Sequence, residues 1–300
     1  MPVIETEKLS KSFSRNEVVS SISLKVEKGE IFGFLGRNGA GKTTFVNMLT
    51  GITLPTSGRM LLLNNNNDID QIKHRVGVLP DYSTFYDHLS AKDHLKYFCK
   101  VSGKPAATSK IEEVLRAVGL IGHEKKKVGK FSFGMKKKLG IAQALIHDPE
   151  LLFLDEPTSG VDAESAIHIQ RLILELQKNG KTIFMTSHNL DEVERICTRI
   201  AIMKEGHIHS TGTMKELKKK YQTRSRVQIK LSSHIKKEQK ENIKNLLFSY
   251  SIEWKDSMLL VDVMAEEEIP TIVHALSKEG IDIFAVHVHE PSLQEIFLRQ

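Results

Sequence analysis

The stretch from Ile31 to Leu49 leaves this chain few folds to choose from. It reads IFGFLG, then RNGAGKTT, then FVNML. Ile31 to Leu35 is a short continuous apolar run, which predicts a buried strand. Gly36, Arg37, Asn38, Gly39, Ala40, Gly41, Lys42 and Thr43 fit G-x-x-x-x-G-K-[ST], with Thr44 behind them. Phe45, Val46, Met48 and Leu49 then keep the i, i+3, i+4 spacing of a helix face. Glycine at 36, 39 and 41 lets backbone N–H groups close on a triphosphate without Cβ clashes. The helix that follows aims its positive end at the same anion. Lys42 is placed to reach the β- and γ-phosphates, and the Thr43 hydroxyl to take Mg²⁺. A Gly-rich turn matching by chance would not need a strand before it and a helix after it. The expectation is a nucleoside triphosphate site.

Strands and helices alternate around this loop. Ile4 to Leu9 reads as a first strand, and Ile22, Leu24 and Val26 alternate as a half-buried one. Met60–Leu63 and Val76–Leu79 read as strands, the second ending at Pro80-Asp81. Asn64–Asn67 suits an exposed loop. From His88 to about 148 the sequence turns helical. Leu89, His94, Leu95 and Phe98 mark one helix, and Ile111, Val114, Leu115 and Val118 a second. Met135, Leu139, Ile141, Ala142, Leu145 and Ile146 form a third stripe, stopped by Pro149. Leu151–Leu154 is a buried strand ending in Asp155-Glu156. A helix from about Ala163 to Lys178 closes at Asn179-Gly180. Thr182–Met185 is a further strand, ending at Thr186-Ser187-His188, and after one more helix comes the strand Ile200–Met203.

This order predicts an α/β fold, a parallel sheet wrapped in helices with a helical subdomain inserted. Ligands of such sheets bind at the carboxyl ends of strands. The phosphate loop, Asp155-Glu156 and His188 all lie at such ends and can converge. A carboxylate there can take the Mg²⁺ that bridges the β- and γ-phosphates, and its neighbour can polarise an attacking water.

The tail from about Tyr221 reads differently. Val227–Leu231, Leu259–Val263 and Ile281–Val288 resemble strands. Ile243–Phe248, Ile269–Leu276 and Pro291–Leu298 resemble helices. The expected division is a nucleotide-binding domain over 1–220 and a small α+β domain over 221–300. His287 and His289 share a strand face, but H-x-H with Glu290 beside it is a thin donor set, and the structural reading is preferred.

Charge and cysteine bound the setting. The net charge of +6 is unevenly spread: the first 220 residues carry 33 Lys+Arg against 25 Asp+Glu, the remainder 10 against 12, and lysine triplets sit at 125–127, 136–138 and 218–220. No aromatic residues interleave with them as nucleic-acid stacking requires, so they read as solvated helix faces and no nucleic-acid partner is expected. Cys99 and Cys197 are far apart and give neither a disulfide framework nor zinc spacing, which fits a reducing compartment. No apolar run is long enough for a membrane span, and the first residues lack a signal-peptide core.

Taken together, GRNGAGKTT, FSFGM, LLFLDEPTSGVD and TSH, in that order, resemble the ATP-binding subunits of ABC transporters over roughly residues 1 to 220. The resemblance implies a role at each matching position. Phe13 would stack on adenine. Asp155 would hold Mg²⁺, Glu156 would be the general base and His188 would contact the γ-phosphate. Ser159-Gly160-Val161-Asp162 would cross a dimer interface. Ser132 and Gly134 would meet the ATP held by a second copy, making the active unit a homodimer or paired cassette. The tail HEPSLQEIFL looks like the ending of subunits in drug and peptide-antibiotic export systems of the bacitracin-resistance type. A separate transmembrane permease would then be the partner, with the chain, soluble alone, at the cytoplasmic face of the membrane.

Two positions depart from the family pattern. The signature, usually Leu-Ser-Gly-Gly-Gln, reads Phe131-Ser132-Phe133-Gly134-Met135. Asp81 stands where the family usually has Gln; it could still reach Mg²⁺ or water but adds negative charge near the γ-phosphate. Both bear on turnover rather than on binding. They leave open an ATP-dependent regulator or scaffold with little hydrolysis, beside a soluble ABC ATPase acting on nucleic acid or the ribosome.

Overall fold

A computed structural model describes residues 1–66, 69–81, 83–103, 105–221, 225–232, 235–255 and 257–289. The chain divides into two compact units, Met1–Met214 and Lys215–Gln300.

The first unit opens with two long antiparallel strands, β1 (Pro2–Phe13) and β2 (Asn16–Glu27). β1 runs past the expected Leu9 because its pairing with β2 continues to the Phe13–Asn16 pair at the hairpin end. β3 (Ile31–Leu35) is buried at every residue and delivers the chain to α1 (Lys42–Leu49). β4 (Ser57–Leu62) and β5 (Asn65–Asn66) close this antiparallel sheet in the order β2-β1-β4-β5. The asparagine run expected as an open loop is thus partly a hairpin. Leu63 and Asn64 both take positive φ, of 48° and 64°, and Asn65 and Asn66 pair back onto β4. Two left-handed central residues are what a tight hairpin turn requires, and Asn tolerates that region better than most side chains. Asn67 lies outside the described residues.

α2 (Ile69–Ile72) leads into β6 (Val76–Leu79), and three helices follow: α3 (Ala91–Val101), α4 (Thr108–Ala117) and α5 (Phe133–Leu145). α3 starts at a Ser90 cap whose hydroxyl accepts the Asp93 N–H at 3.1 Å. Then come β7 (Leu151–Asp155), α6 (Ala163–Lys178), β8 (Thr182–Ser187), α7 (Leu190–Ile196), β9 (Arg199–Lys204) and β10 (His207–Gly212). The six-stranded sheet has the order β10-β9-β3-β8-β7-β6. β9, β3, β8, β7 and β6 are parallel, and β10 folds back antiparallel on β9. All five parallel strands therefore end on one edge, where β3, β6, β7 and β8 each release a candidate residue.

One core joins α1 to both sheets. Phe34 of β3 stacks on Phe45 of α1 at 4.9 Å and meets Phe184 of β8 at 5.5 Å; Phe153 of β7 meets Phe184 at 5.7 Å. Each fully buried Phe contributes about 1.5–3 kcal/mol by area removed from water. This packing fixes where α1 starts, and so where the phosphate loop sits. On the other flank α5 lies close on β6 at Gly77, where an added Cβ would stand 2.3 Å from the Ala144 carbonyl oxygen.

The second unit has its own core. α8 (Met214–Tyr221) precedes β11 (Ser225–Leu231), α9 (Lys237–Leu246), β12 (Ser251–Lys255), β13 (Met258–Val263), α10 (Ile269–Lys278) and β14 (Ile283–His289). The four strands form an antiparallel sheet in the order β12-β13-β11-β14. Val227, Ile229, Val261 and Val263 pack with Ile243, Ile272 and Leu276 of the two helices. The expected helix Pro291–Leu298 lies outside the described residues. Cys99 and Cys197 are both free and buried.

Candidate active site

The phosphate loop owes its shape to Gly41. Its φ is +104°, which L side chains rarely adopt, and a Cβ there would stand 2.6 Å from the Val18 carbonyl oxygen. No side chain caps α1, so its first N–H groups stay free for an anion. Arg37, Asn38, Gly39 and Thr43 are exposed, while Ala40 and Gly41 are buried and Gly36 and Thr44 partly so. Lys42 is buried. Its Nζ donates to the Gly36 carbonyl at 2.8 Å and stands 3.3 Å from Glu156 Oε1.

β7 supplies the acids. Asp155 is buried at the strand end and accepts a hydrogen bond from the Thr186 hydroxyl of β8. Burial pushes its carboxyl above the usual range, and hydroxyl bonds from Thr186 and Thr43 pull it part of the way back. Asp155 and Thr43 are therefore neighbours. With Asp81 they offer hard oxygens, which suits Mg²⁺: that ion commonly takes one or two carboxylates and completes its shell with substrate phosphates and water. Among the described residues no three His, Cys, Asp or Glu side chains group closely enough to hold a metal by themselves.

Glu156 leaves the strand with φ 49°, in the left-handed region. Its backbone is pinned on both sides. The N–H donates to Thr186 Oγ1 at 3.0 Å, and the carbonyl accepts from Lys137 Nζ at 3.0 Å. Its side chain is divided too. Oε2 accepts from His188 Nδ1 at 2.8 Å. Oε1 is buried and takes no hydrogen bond, although the Lys42 ammonium pairs with it by charge. Asp81 follows β6, and its Oδ1 lies 3.5 Å from the same Lys137 Nζ.

The phosphate loop, Asp81, Asp155, Glu156 and His188 thus converge on one edge of the sheet. Ser132 and Gly134 stand beside another part of the chain. Ser132 caps α5, its hydroxyl accepting the Met135 N–H at 3.2 Å. Gly134 packs so close to Ser165 that a Cβ would stand 2.7 Å from its hydroxyl. Asp162 caps α6 by accepting the Ser165 N–H at 2.9 Å. Phe133 is exposed, with its ring against Gly160. Phe13, which its sequence context alone would place in the core, is 50 % exposed with Lys11 Nζ 5.0 Å over its ring.

The structure adds three residues that the sequence reading passed over. Thr186 links Asp155 to the Glu156 backbone. Glu192, fully buried, accepts from Thr158 at 2.7 Å and Ser187 at 3.0 Å, and burial raises its carboxyl above the ordinary 4.5. Lys137 corrects the reading of the 136–138 triplet as a solvated face: it is 4 % exposed and carries the contacts to Asp81 and Glu156. Its position three residues after Gly134 and four before Ile141 puts it on the buried stripe of α5, a phase visible in the sequence.

A family model described as ABC transporter matches residues 19–159, and one described as ATP-binding protein DrrA1-3-like, C-terminal domain, matches residues 212–300. The bacitracin transport ATP-binding protein BcrA of Bacillus licheniformis is 35 % identical over 300 residues, covering 99 % of this chain and 96 % of that one. The linearmycin resistance ATP-binding protein LnrL of Bacillus subtilis (strain 168) is 31 % identical over 303 residues, covering 99 % and 97 %. Among solved structures, cbiO1 from Clostridium perfringens, part of the ABC transporter complex cbiONQ, superimposes with a TM-score of 0.64 at 28 % identity, covering 73 % of this chain and 94 % of that one.

Proposed function

This chain belongs to the ATP-binding proteins of ABC transporters, and from that premise we propose that it is the motor of an exporter of drugs or antibiotic peptides. It binds ATP and is an ATPase. Export is supported by the full-length relatives named for bacitracin transport and linearmycin resistance. Among the described residues no helix is long and apolar enough to cross a membrane. The transporter relatives support a separate permease as the carrier of the cargo, with the chain working at the cytoplasmic membrane face by docking to it.

The observation that carries the mechanism is the divided carboxylate of Glu156. His188 fixes one oxygen, and the other is buried without a hydrogen bond. That second oxygen is the general base. It takes a proton from water as the water oxygen attacks the γ-phosphorus, and the bond to the β-bridging oxygen breaks to leave ADP and phosphate. Lys42 and the α1 N–H groups hold the triphosphate, and Phe13 stacks on the adenine. Thr43, Asp155 and Asp81 would hold Mg²⁺, which supplies charge neutralisation at the phosphates. Ser132, exposed at the start of α5, and Gly134 behind it complete the site of a second copy.

The test is antibiotic susceptibility. Host cells lacking this chain are complemented with wild type or Glu156→Gln and challenged with a panel of drugs and peptide antibiotics that includes bacitracin and linearmycin. Resistance restored by wild type alone supports the motor reading. Identical susceptibility across the panel, with ATP hydrolysis intact in the purified wild type, would overturn export.

A further inference from the structure

Lys137 gathers three separate segments on one ammonium. It projects from the second turn of α5, the helix capped by Ser132. It donates to the carbonyl oxygens of Asp81 and Glu156, each at 3.0 Å, and faces the Asp81 carboxylate at 3.5 Å. The Phe133 ring lies 6.0 Å away on the approach from the helix start. Burying an ammonium is costly unless its donors are satisfied and a counter-charge is near. Here both conditions are met, and both by residues of the hydrolytic site.

The contact to Glu156 falls where the backbone needs it. A non-glycine residue at φ 49° is held against its own preference. Such conformations persist only where surrounding groups over-determine them. Thr186 fixes the N–H side of Glu156, and Lys137 fixes the carbonyl side. The direction in which the Glu156 side chain leaves the strand depends on both. Asp81, an acid where Gln is the usual residue, has its charge answered by the same ammonium.

We infer that Lys137 is a positioning residue for ATP hydrolysis, holding Glu156 and Asp81 in register with each other and with the start of α5. This rests on Glu156 being the general base. Misplacing a reacting group by an ångström costs on the order of 10² in rate. Lys137→Met keeps a linear side chain of similar length and removes the donors and the charge. It should lower kcat by about 10- to 100-fold. The KM for ATP should stay within about 3-fold, because none of the phosphate-loop contacts involves Lys137. Lys138→Met, on the neighbouring half-buried position, should keep wild-type turnover within about 2-fold.

The experiment measures phosphate release against ATP concentration for wild type, Lys137→Met, Lys138→Met and Glu156→Gln, with a melting curve for each. A kcat loss confined to Lys137→Met and Glu156→Gln, at unchanged KM and melting temperature, is the expected result. Wild-type kcat in Lys137→Met beside an inactive Glu156→Gln overturns the role of Lys137 alone. A loss of kcat in Lys137→Met matched by a lower melting temperature and a raised KM also overturns it, in favour of a merely structural lysine. Full turnover in Glu156→Gln overturns the general-base reading on which the inference stands.

Discussion

His188 Nδ1 stands 2.8 Å from Glu156 Oε2, although the two residues leave different strands, β8 and β7. A carboxylate oxygen only accepts, so the proton of this bond sits on Nδ1. The ring orients the acid while the His188 side chain stays half exposed. Removing it frees Glu156 to rotate. His188→Ala should lower kcat about 10- to 100-fold with little change in ATP affinity. Phosphate release at saturating ATP, beside equilibrium binding of a fluorescent ATP analogue, separates the two quantities. Equal loss of both would assign His188 to binding instead.

Lys42 should govern affinity rather than the chemical step alone. Hydrogen bonds to charged groups contribute about 1.5–3 kcal/mol each. Lys42→Ala should therefore weaken ATP binding by roughly 10- to 100-fold, read by calorimetric titration. An unchanged affinity would place the triphosphate elsewhere.

Glu192 predicts a pH effect. Its folded pKa lies above the unfolded value of 4.5 because it is buried. The folded chain then binds more protons than the unfolded one in the window from 4.5 up to the raised value. Stability from this group is present below that window and falls as pH rises through it. Gln at 192 has no such slope and can still meet the hydroxyls of Thr158 and Ser187. The melting temperature of Glu192→Gln minus that of wild type should rise as pH climbs from 4.5 through the raised folded value and level off above it. A flat difference would remove Glu192 from the pH response.

Gly77 tests the packing of α5 on β6. An added methyl would meet a backbone carbonyl at 2.3 Å, where no flexible side chain can give way. Gly77→Ala should cost about 1–3 kcal/mol. That is a fall of several degrees in melting temperature, at about 2–4 °C per kcal/mol for a unit of this size. No fall would mean that α5 shifts freely, which the Lys137 contacts make unexpected.

What the sequence made legible was whatever backbone geometry or burial forces into spelling. Gly41 must be glycine, and Ile31 to Leu35 must be apolar, so the loop and its strand were plain. Asp155 and Glu156 stood out as charges at the end of four apolar residues. β10 and β12 were not legible. Segments such as His207-Ile208-His209-Ser210 carry weak alternation, and β10 is made a strand by its pairing with β9. Lys137 was hidden by its neighbours: Lys136 and Lys138 lie partly open to solvent, and only helix phase separates the middle lysine from them. Thr186 acts on Asp155 and Glu156, and Glu192 reaches Thr158 as well as nearby Ser187; the contacts of Thr186 across two strands, and of Glu192 to Thr158, are not displayed by any local pattern.

The two buried sulfurs have a practical consequence. Burial raises the pKa of both thiols, so Cys99 and Cys197 stay protonated and shielded at neutral pH. The thiolate is the reactive form, and the native chain offers almost none of it. A cysteine introduced at exposed Ser132 would be chemically conspicuous against that quiet background. Paired with a second one placed in the phosphate loop, at Asn38, it turns the question of whether two copies close on each other into a cross-link that forms between chains or does not.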